Sequence, residues 1–118
     1  MIYPEAEKLE LDEVRTVFAE HLRHCPDFEL LWSDKVGYVW LTIGLEPLYV
    51  DTGRRIASAE DLCRECLESI GMDVLYLTGN DHGLRDADPP ERAEIRRRWK
   101  PFLEQLPQFA HLCGEILP

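Results

Sequence analysis

The longest polar loop of the chain carries the side chains best suited to chemistry. It runs from Gly79 to Asp88, and its candidate binding residues are Asn80, Asp81, His82 and Asp86. Carboxylates beside an imidazole can hold a divalent cation or transfer a proton. Asn, Asp and Gly also fill turns for backbone reasons, and Asp88 suits the N-cap of a following helix. The loop therefore fits either a ligand site or a turn that ends in a helix cap.

Thiols and imidazoles form a second candidate group. The chain contains Cys25, Cys63, Cys66 and Cys113, with His21, His24 and His111 close to two of them in sequence. Cys63-x-x-Cys66 has the spacing of half a zinc site. The same pair completes the apolar stripe of a predicted helix, and a reduced cysteine packs as a small hydrophobic residue. The sequence leaves core residues and metal ligands as alternatives, and we expect reduced thiols and no cofactor.

A cationic run near the end of the chain contrasts with its acidic balance. The formal net charge is −10, which argues against a general nucleic-acid binder, since such proteins need cations to displace counterions from phosphate. The run includes Arg92, Arg96, Arg97, Arg98 and Lys100. We expect these side chains to face acidic protein surface in the same molecule or in a partner, so nucleic acid is an unlikely ligand.

Length and composition limit the classes of protein that fit. The 118 residues, 45% of them apolar, predict a single domain over residues 1–118 with a core of its own. No apolar run is long enough for a membrane span, and the first residues do not read as a secretion signal, so we expect a cytoplasmic protein. Neither a Gly-rich nucleotide loop nor a Gly-x-Ser-x-Gly motif occurs.

Hydrophobic periodicity and turn residues predict eight elements in the order αβββαβαα. Ile2 to Pro4 is expected to be a short tether. The predicted elements are a helix from about Leu11 to His24, a three-stranded meander from Phe28 to Ile56, a helix from Ser58 to Gly71, a strand from Met72 to Thr78, a helix from Pro89 that kinks or breaks near Lys100, and a last helix after Pro107. The fold class is α+β, with an antiparallel sheet of three to four strands and helices mainly on one face.

Alternation along the second strand assigns its side chains to two faces. Val39, Leu41 and Ile43 fall on one face, and we expect this aliphatic face to meet the core. Trp32, Tyr38 and Trp40 then remain on the other face, where they predict a binding surface.

The function that these observations favour is binding rather than catalysis. We expect a small, acidic, intracellular, non-enzymatic protein that binds another protein, with a homodimer as one form of that binding. One alternative is a metal-binding regulator or metal-dependent hydrolase that uses the loop from Asn80 to Asp88. A second alternative is an acidic inhibitor that imitates the DNA backbone and occupies a basic partner.

Overall fold

The computed structural model describes residues 2–43, 50–80 and 82–118, with only the backbone of residues 50–52, and within these ranges the chain has an α+β fold. Its five helices are α1 (Glu5–Val17), α2 (Ala19–His24), α3 (Ala59–Leu77), α4 (Pro89–Gln105) and α5 (Leu112–Ile116). Its three strands are β1 (Phe28–Ser33), β2 (Gly37–Ile43) and β3 (Val50–Arg55). Short 3-10 turns cover Leu84–Asp86 and Pro107–Phe109.

The predicted meander is confirmed. β1 pairs antiparallel with β2, which places Phe28 opposite Thr42 and Trp32 opposite Tyr38. β2 pairs antiparallel with β3, and the strand order is β1-β2-β3. β1 therefore lies at one edge of the sheet.

The prediction of which sheet face is buried was wrong. Tyr38 and Trp40 are each only 4% exposed, whereas Val39, Leu41 and Ile43 are half-buried. The Tyr38 hydroxyl donates a hydrogen bond of 2.6 Å to Asp12 on α1, so α1 lies against the aromatic face. Strand alternation separates two faces but does not say which one a helix covers, and aromatic rings bury more area than aliphatic side chains.

The predicted fourth strand was also wrong, because residues 72–77 extend helix α3. Gly71 lies inside this helix, where a glycine costs only about 1 kcal/mol relative to alanine. A Cβ added at Gly71 would lie 2.7 Å from Cδ2 of Leu84, so the glycine admits that side chain. Val74 and Leu75 are buried and continue the apolar stripe of α3.

Helix α3 ends at Leu77, and the glycine that stops it is Gly79, eight residues after the predicted stop at Gly71. Gly79 has a φ of +70°, and its N–H donates to the Tyr76 carbonyl. The Asn80 N–H donates to the Leu75 carbonyl, five residues back. Together these two bonds form a Schellman motif, which requires a left-handed residue that glycine adopts without strain.

The start of the chain is a packed segment and not the tether expected from the sequence. Tyr3 is 5% exposed, and its hydroxyl donates to the Ile56 carbonyl at 2.6 Å while accepting from the Tyr38 N–H at 3.1 Å. Helix α1 then begins at Glu5, six residues before the predicted start. A turn at Phe18 divides the predicted first helix into α1 and α2.

The predicted helix caps are confirmed. The Ser58 hydroxyl accepts from the Asp61 N–H, and Asp61 reaches back to the N–H of Ala57. Asp88 and Glu91 form a reciprocal capping box at the start of α4. Of the kink or break predicted near Lys100, the break does not occur, because helix α4 continues through Pro101 to Gln105. The kink stays a prediction.

Residue contacts group the chain into two units, Met1–Leu62 and Cys63–Pro118, and the boundary lies inside helix α3. The first unit contains the sheet and buries Leu11, Val14 and Phe18 of its helical part. The second unit buries Leu67, Ile95 and Trp99, and the Trp99 indole N–H donates to the Leu67 carbonyl at 2.8 Å. The expectation of a single domain stays a prediction.

Candidate binding site

Of the three aromatic residues predicted to form a binding surface, one is accessible. Trp32 is 43% exposed at the edge of the sheet. Tyr38 and Trp40 are 4% exposed, and the Trp40 ring stacks on Phe28 at a centroid distance of 5.3 Å. The three residues therefore do not form one open aromatic face, and a binding site at this end of the sheet has to be built around Trp32.

The polar loop after α3 is held together by the buried carboxylate of Glu91, for which the sequence predicted a position in the helix cap but no role in the loop. Glu91 is 4% exposed and accepts hydrogen bonds from the Thr78 hydroxyl, the Asn80 amide and the Asp88 N–H, at 2.7 to 2.9 Å. The Asn80 side chain in turn accepts from the His82 N–H at 2.7 Å. Asn80 therefore has a structural role in this loop.

The other loop residues do not gather around a common point. His82 and Asp86 are exposed, and Asp81 lies outside the described residues. Within the described ranges, neither His82 nor Asp86 belongs to a group of three potential metal ligands. The metal-dependent alternative for this loop stays a prediction of the sequence.

The hydrogen bonds to Glu91 predict a specific dependence of stability on pH. Bonds from Thr78, the Asp88 backbone and Asn80 lower the pKa of Glu91 to about 2 from its ordinary 4.5. A depressed pKa contributes stability above pH 4.5 that is lost as the pH falls towards 2. Urea titrations across this range should show a shallower fall in the unfolding free energy for Glu91→Gln than for the wild type.

Thr78→Val is the matched second variant for this measurement. It keeps the side-chain shape but removes one donor, so the pKa of Glu91 rises towards its ordinary value. The loss of stability below pH 4.5 should then be smaller and should end at a higher pH than in the wild type. Equal slopes in the wild type and Glu91→Gln would contradict the prediction.

The core interpretation of the Cys-x-x-Cys pair is supported by its burial. Cys63 and Cys66 are fully buried on helix α3, whereas Cys25 and Cys113 are partly exposed. All four cysteines lie in the described residues and are thiols, not disulfides. Burial raises the pKa of the Cys113 thiol, which disfavours the reactive thiolate.

The cationic run on α4 pairs largely with its own helix. Arg97 and Arg98 both form ion pairs with Glu94, and Lys100 lies 3.9 Å from Glu104. The Arg92 guanidinium donates to three backbone carbonyls, those of Arg85, Ala87 and Pro118. The acidic surface expected for Arg97, Arg98 and Lys100 is therefore provided by the same molecule.

One surface site is a groove between the first helices and strand β1, which we call the β1 groove. One part has a volume of about 420 Å³ and is lined by Lys8, Asp12, Arg15, Leu30, Trp32 and Tyr38. The other part, of about 340 Å³, is lined by Arg15, Thr16, Ala19, Leu22, Arg23, Glu29 and Leu30. The two parts share Arg15 and Leu30, so they lie next to each other along β1.

Two oppositely charged side chains lie close together at the Trp32 end of the β1 groove. The Lys8 ammonium lies 4.7 Å from the centre of the Trp32 ring and 2.6 Å from an Asp12 carboxylate oxygen. Partial burial opposes ionisation of Asp12, but hydrogen bonds from Lys8 and Tyr38 outweigh it and lower the Asp12 pKa. Burial and the Asp12 carboxylate raise the pKa of Tyr38 to about 12, so its hydroxyl remains a donor at neutral pH.

The backbone of β1 presents hydrogen-bonding groups along the same groove. The Ile43 N–H donates to the Asp27 carbonyl at 2.8 Å, which makes these residues a hydrogen-bonded pair of the ladder. Bonding alternates along an antiparallel strand, so Glu29 and Leu31 turn their N–H and C=O groups towards β2. The groups of Phe28, Leu30 and Trp32 point away from the sheet. Sequence periodicity gave no signal for this edge, because it depends on which strands pair.

Comparison with known proteins provides no template for this site. No protein-family model, curated protein or solved structure matches the chain. Among the described residues, no helix combines the length and apolar character needed to cross a membrane. Function must therefore be inferred from the geometry of the chain itself.

Proposed function

We propose that this protein acts by binding protein, without catalysis, and that its partner along β1 is a second copy of the same chain. The observation that carries this proposal is the outer edge of β1, where the backbone groups of Phe28, Leu30 and Trp32 point away from the other described strands, beside the exposed Trp32. An edge strand is a template for adding another strand. The proposed homodimer forms by antiparallel pairing of β1 with its copy.

The residues of β1 are self-complementary around Leu30. A twofold axis at Leu30 places this residue opposite its own copy and Phe28 opposite Trp32 of the other chain. Cross-strand aromatic pairs of this kind stabilise a sheet by about 0.2–1 kcal/mol each. Glu29 then lies opposite Leu31 of the other copy, so the two Glu29 carboxylates are not paired directly.

Charge also favours this part of the surface for self-association. The charged side chains that line the β1 groove are Lys8, Arg15, Arg23, Asp12 and Glu29. They carry one more positive than negative charge, whereas the whole chain carries −10. Two acidic chains repel each other least where their local charge is not acidic. The acidic-inhibitor alternative stays a prediction, since it depends on the overall charge alone.

Sedimentation equilibrium over a range of protein concentrations tests the homodimer. We expect the wild type to associate and Leu30→Pro to be monomeric, because proline removes the outward N–H of Leu30 and leaves the bonds to β2 in place. Trp32→Ala should weaken association at least several-fold, since it removes the aromatic cross-strand partner. Leu30→Val and Tyr76→Ala are the controls, and both should associate like the wild type.

A wild type that is monomeric at every concentration would reject the homodimer. Selection of peptides from a displayed library on the wild type and on Leu30→Pro then tests whether β1 binds other protein segments. Binders that prefer the wild type would support protein binding at β1, whereas equal binding to both variants would contradict it.

A further inference from the structure

Lys8 places its ammonium group in a corner formed by two aromatic rings. Its nitrogen lies 4.7 Å from the centre of the Trp32 ring and 5.7 Å from the centre of the Tyr38 ring. The two rings meet at 75° with their centres 5.0 Å apart. Asp12 completes the corner, since its carboxylate oxygens lie 2.6 and 2.7 Å from the ammonium.

We propose that Trp32, Tyr38 and Asp12 form a cage for a methylated ammonium group, and that Lys8 occupies this cage when no ligand is bound. An aromatic face attracts a cation through its quadrupole, and several faces around one point are the usual way in which proteins bind quaternary ammonium groups. The ammonium of Lys8 is a cation that already fits the position. The ligand class is therefore a quaternary ammonium, either in a free small molecule or in a methylated lysine side chain.

The primary ammonium of Lys8 and a quaternary ammonium make different interactions in the cage. A primary ammonium is strongly hydrated and carries three donors, which Lys8 directs in part to Asp12. A trimethylated ammonium has no donors and less hydration to lose, so contact with the ring faces makes up more of its binding energy. The Tyr38 hydroxyl already donates to Asp12, so the carboxylate keeps a hydrogen bond after Lys8 leaves.

Exchange of Lys8 for a ligand needs no unfolding of the site. The Lys8 side chain is 36% exposed and that of Asp12 is 42% exposed. The Trp32 ring is 43% exposed, and the cavity in front of it has a volume of about 420 Å³. The ring of Tyr3 lies next to this pair, with its centre 6.3 Å from that of Trp32 and an angle of 45° between the ring planes.

A ligand cannot enter the cage while Lys8 occupies it. The apparent affinity for the ligand is therefore its intrinsic affinity multiplied by the fraction of time that the cage is empty. Lys8→Ala should therefore bind a quaternary ammonium more tightly than the wild type, by about tenfold if Lys8 fills the cage nine-tenths of the time. Lys8→Gln removes the charge but keeps most of the side chain, so it reports the same gain if alanine perturbs helix α1. Adding Trp32→Ala to either variant should abolish binding.

Titration with choline chloride and with a peptide containing trimethyllysine tests the cage. The measured signal is the NMR resonance of the Tyr38 backbone N–H, which donates to the Tyr3 hydroxyl at 3.1 Å and is present in every variant, including those that lack Trp32. The unmethylated peptide and Lys35→Ala, an exposed lysine in the turn after β1, are the controls. We expect saturable shifts in Lys8→Ala with both methylated probes, and weaker ones in the wild type.

Absence of a saturable, Trp32-dependent shift in both Lys8→Ala and Lys8→Gln would overturn the cage. A peptide that binds more tightly than choline identifies a protein-borne ligand, and equal affinities identify the free ammonium as sufficient. The cage is built from one chain, so the probes should also bind at protein concentrations low enough for the chain to be monomeric. Loss of dimerisation and loss of the cage are thus separate results.

Discussion

Trp99→Ala is expected to lower the free energy of unfolding by about 3–5 kcal/mol, the usual range for removing a buried tryptophan side chain. Trp99 is fully buried among the residues of the second unit, and its indole N–H donates to the Leu67 carbonyl on α3. Alanine leaves a cavity on α4 and removes that hydrogen bond. Urea unfolding followed by circular dichroism measures the loss.

Trp99→Phe separates the two contributions. Phenylalanine keeps most of the apolar contact but cannot donate to Leu67, so the expected loss is smaller than for alanine. Trp32 and Trp40 both lie in the first unit, so in Trp99→Ala their fluorescence reports that unit while circular dichroism reports the helices. Coincident transitions would support the expected single domain, and separate transitions would contradict it.

Tyr3→Phe is expected to lower the free energy of unfolding by about 2–6 kcal/mol, although it removes only one oxygen atom. Val39 pairs with Arg55, so Tyr38 and Ile56 form the next pair of the β2–β3 ladder. The Ile56 N–H donates directly to the Tyr38 carbonyl at 2.9 Å, but the second bond of this pair passes through the Tyr3 hydroxyl. Phenylalanine leaves a buried N–H and a buried C=O without this partner, at about 1–3 kcal/mol each.

Chemical denaturation of Tyr3→Phe and of Tyr76→Phe gives the comparison. Tyr76 is 86% exposed, so its hydroxyl should contribute less than about 0.5 kcal/mol. A similar, small change in both variants would show that the Tyr3 hydroxyl does not support the sheet.

Features that depend on neighbouring residues were predicted correctly from the sequence. The α+β class, the three-stranded meander and the caps at Ser58 and Asp88 depend on residue periods and on hydrogen bonds over three residues. The buried stripe through Cys63 and Cys66 has the same origin. These signals are local, so they can be read without knowing the fold.

Features that depend on distant partners were missed or assigned wrongly. Residues 72–77 contain the apolar and β-branched residues of a strand, but Val74 and Leu75 lie in phase with the buried face of α3, and packing decides between the two structures. Gly71 was interpreted as a helix stop, whereas it makes room for Leu84, thirteen residues later. Trp32 was predicted to lie on an exposed aromatic face together with Tyr38 and Trp40. Trp32 is exposed, but the other two residues are buried, so the reason for the prediction was incorrect.

The candidate site was only partly accessible from the sequence. Trp32 and Tyr38 were singled out, but their cationic partner Lys8 lies on a segment before the predicted start of the first helix. The spacing of Lys8 and Asp12, four residues apart, is a helical ion-pair signal that extends α1 towards the start of the chain. The position of that pair over the two rings follows from tertiary packing and has no signature in the sequence.

The hydroxyl bridge at Tyr3 bears on how the chain folds as it is synthesised. Tyr3 is synthesised before its acceptor Ile56, which lies 53 residues later in the chain. During translation the Tyr3 ring is exposed or makes temporary contacts until the meander has left the ribosome. The entropic cost of closing such a loop grows only with the logarithm of its length. The sheet should therefore be completed, and Tyr3 should take its final position, in one late event during the synthesis of this unit.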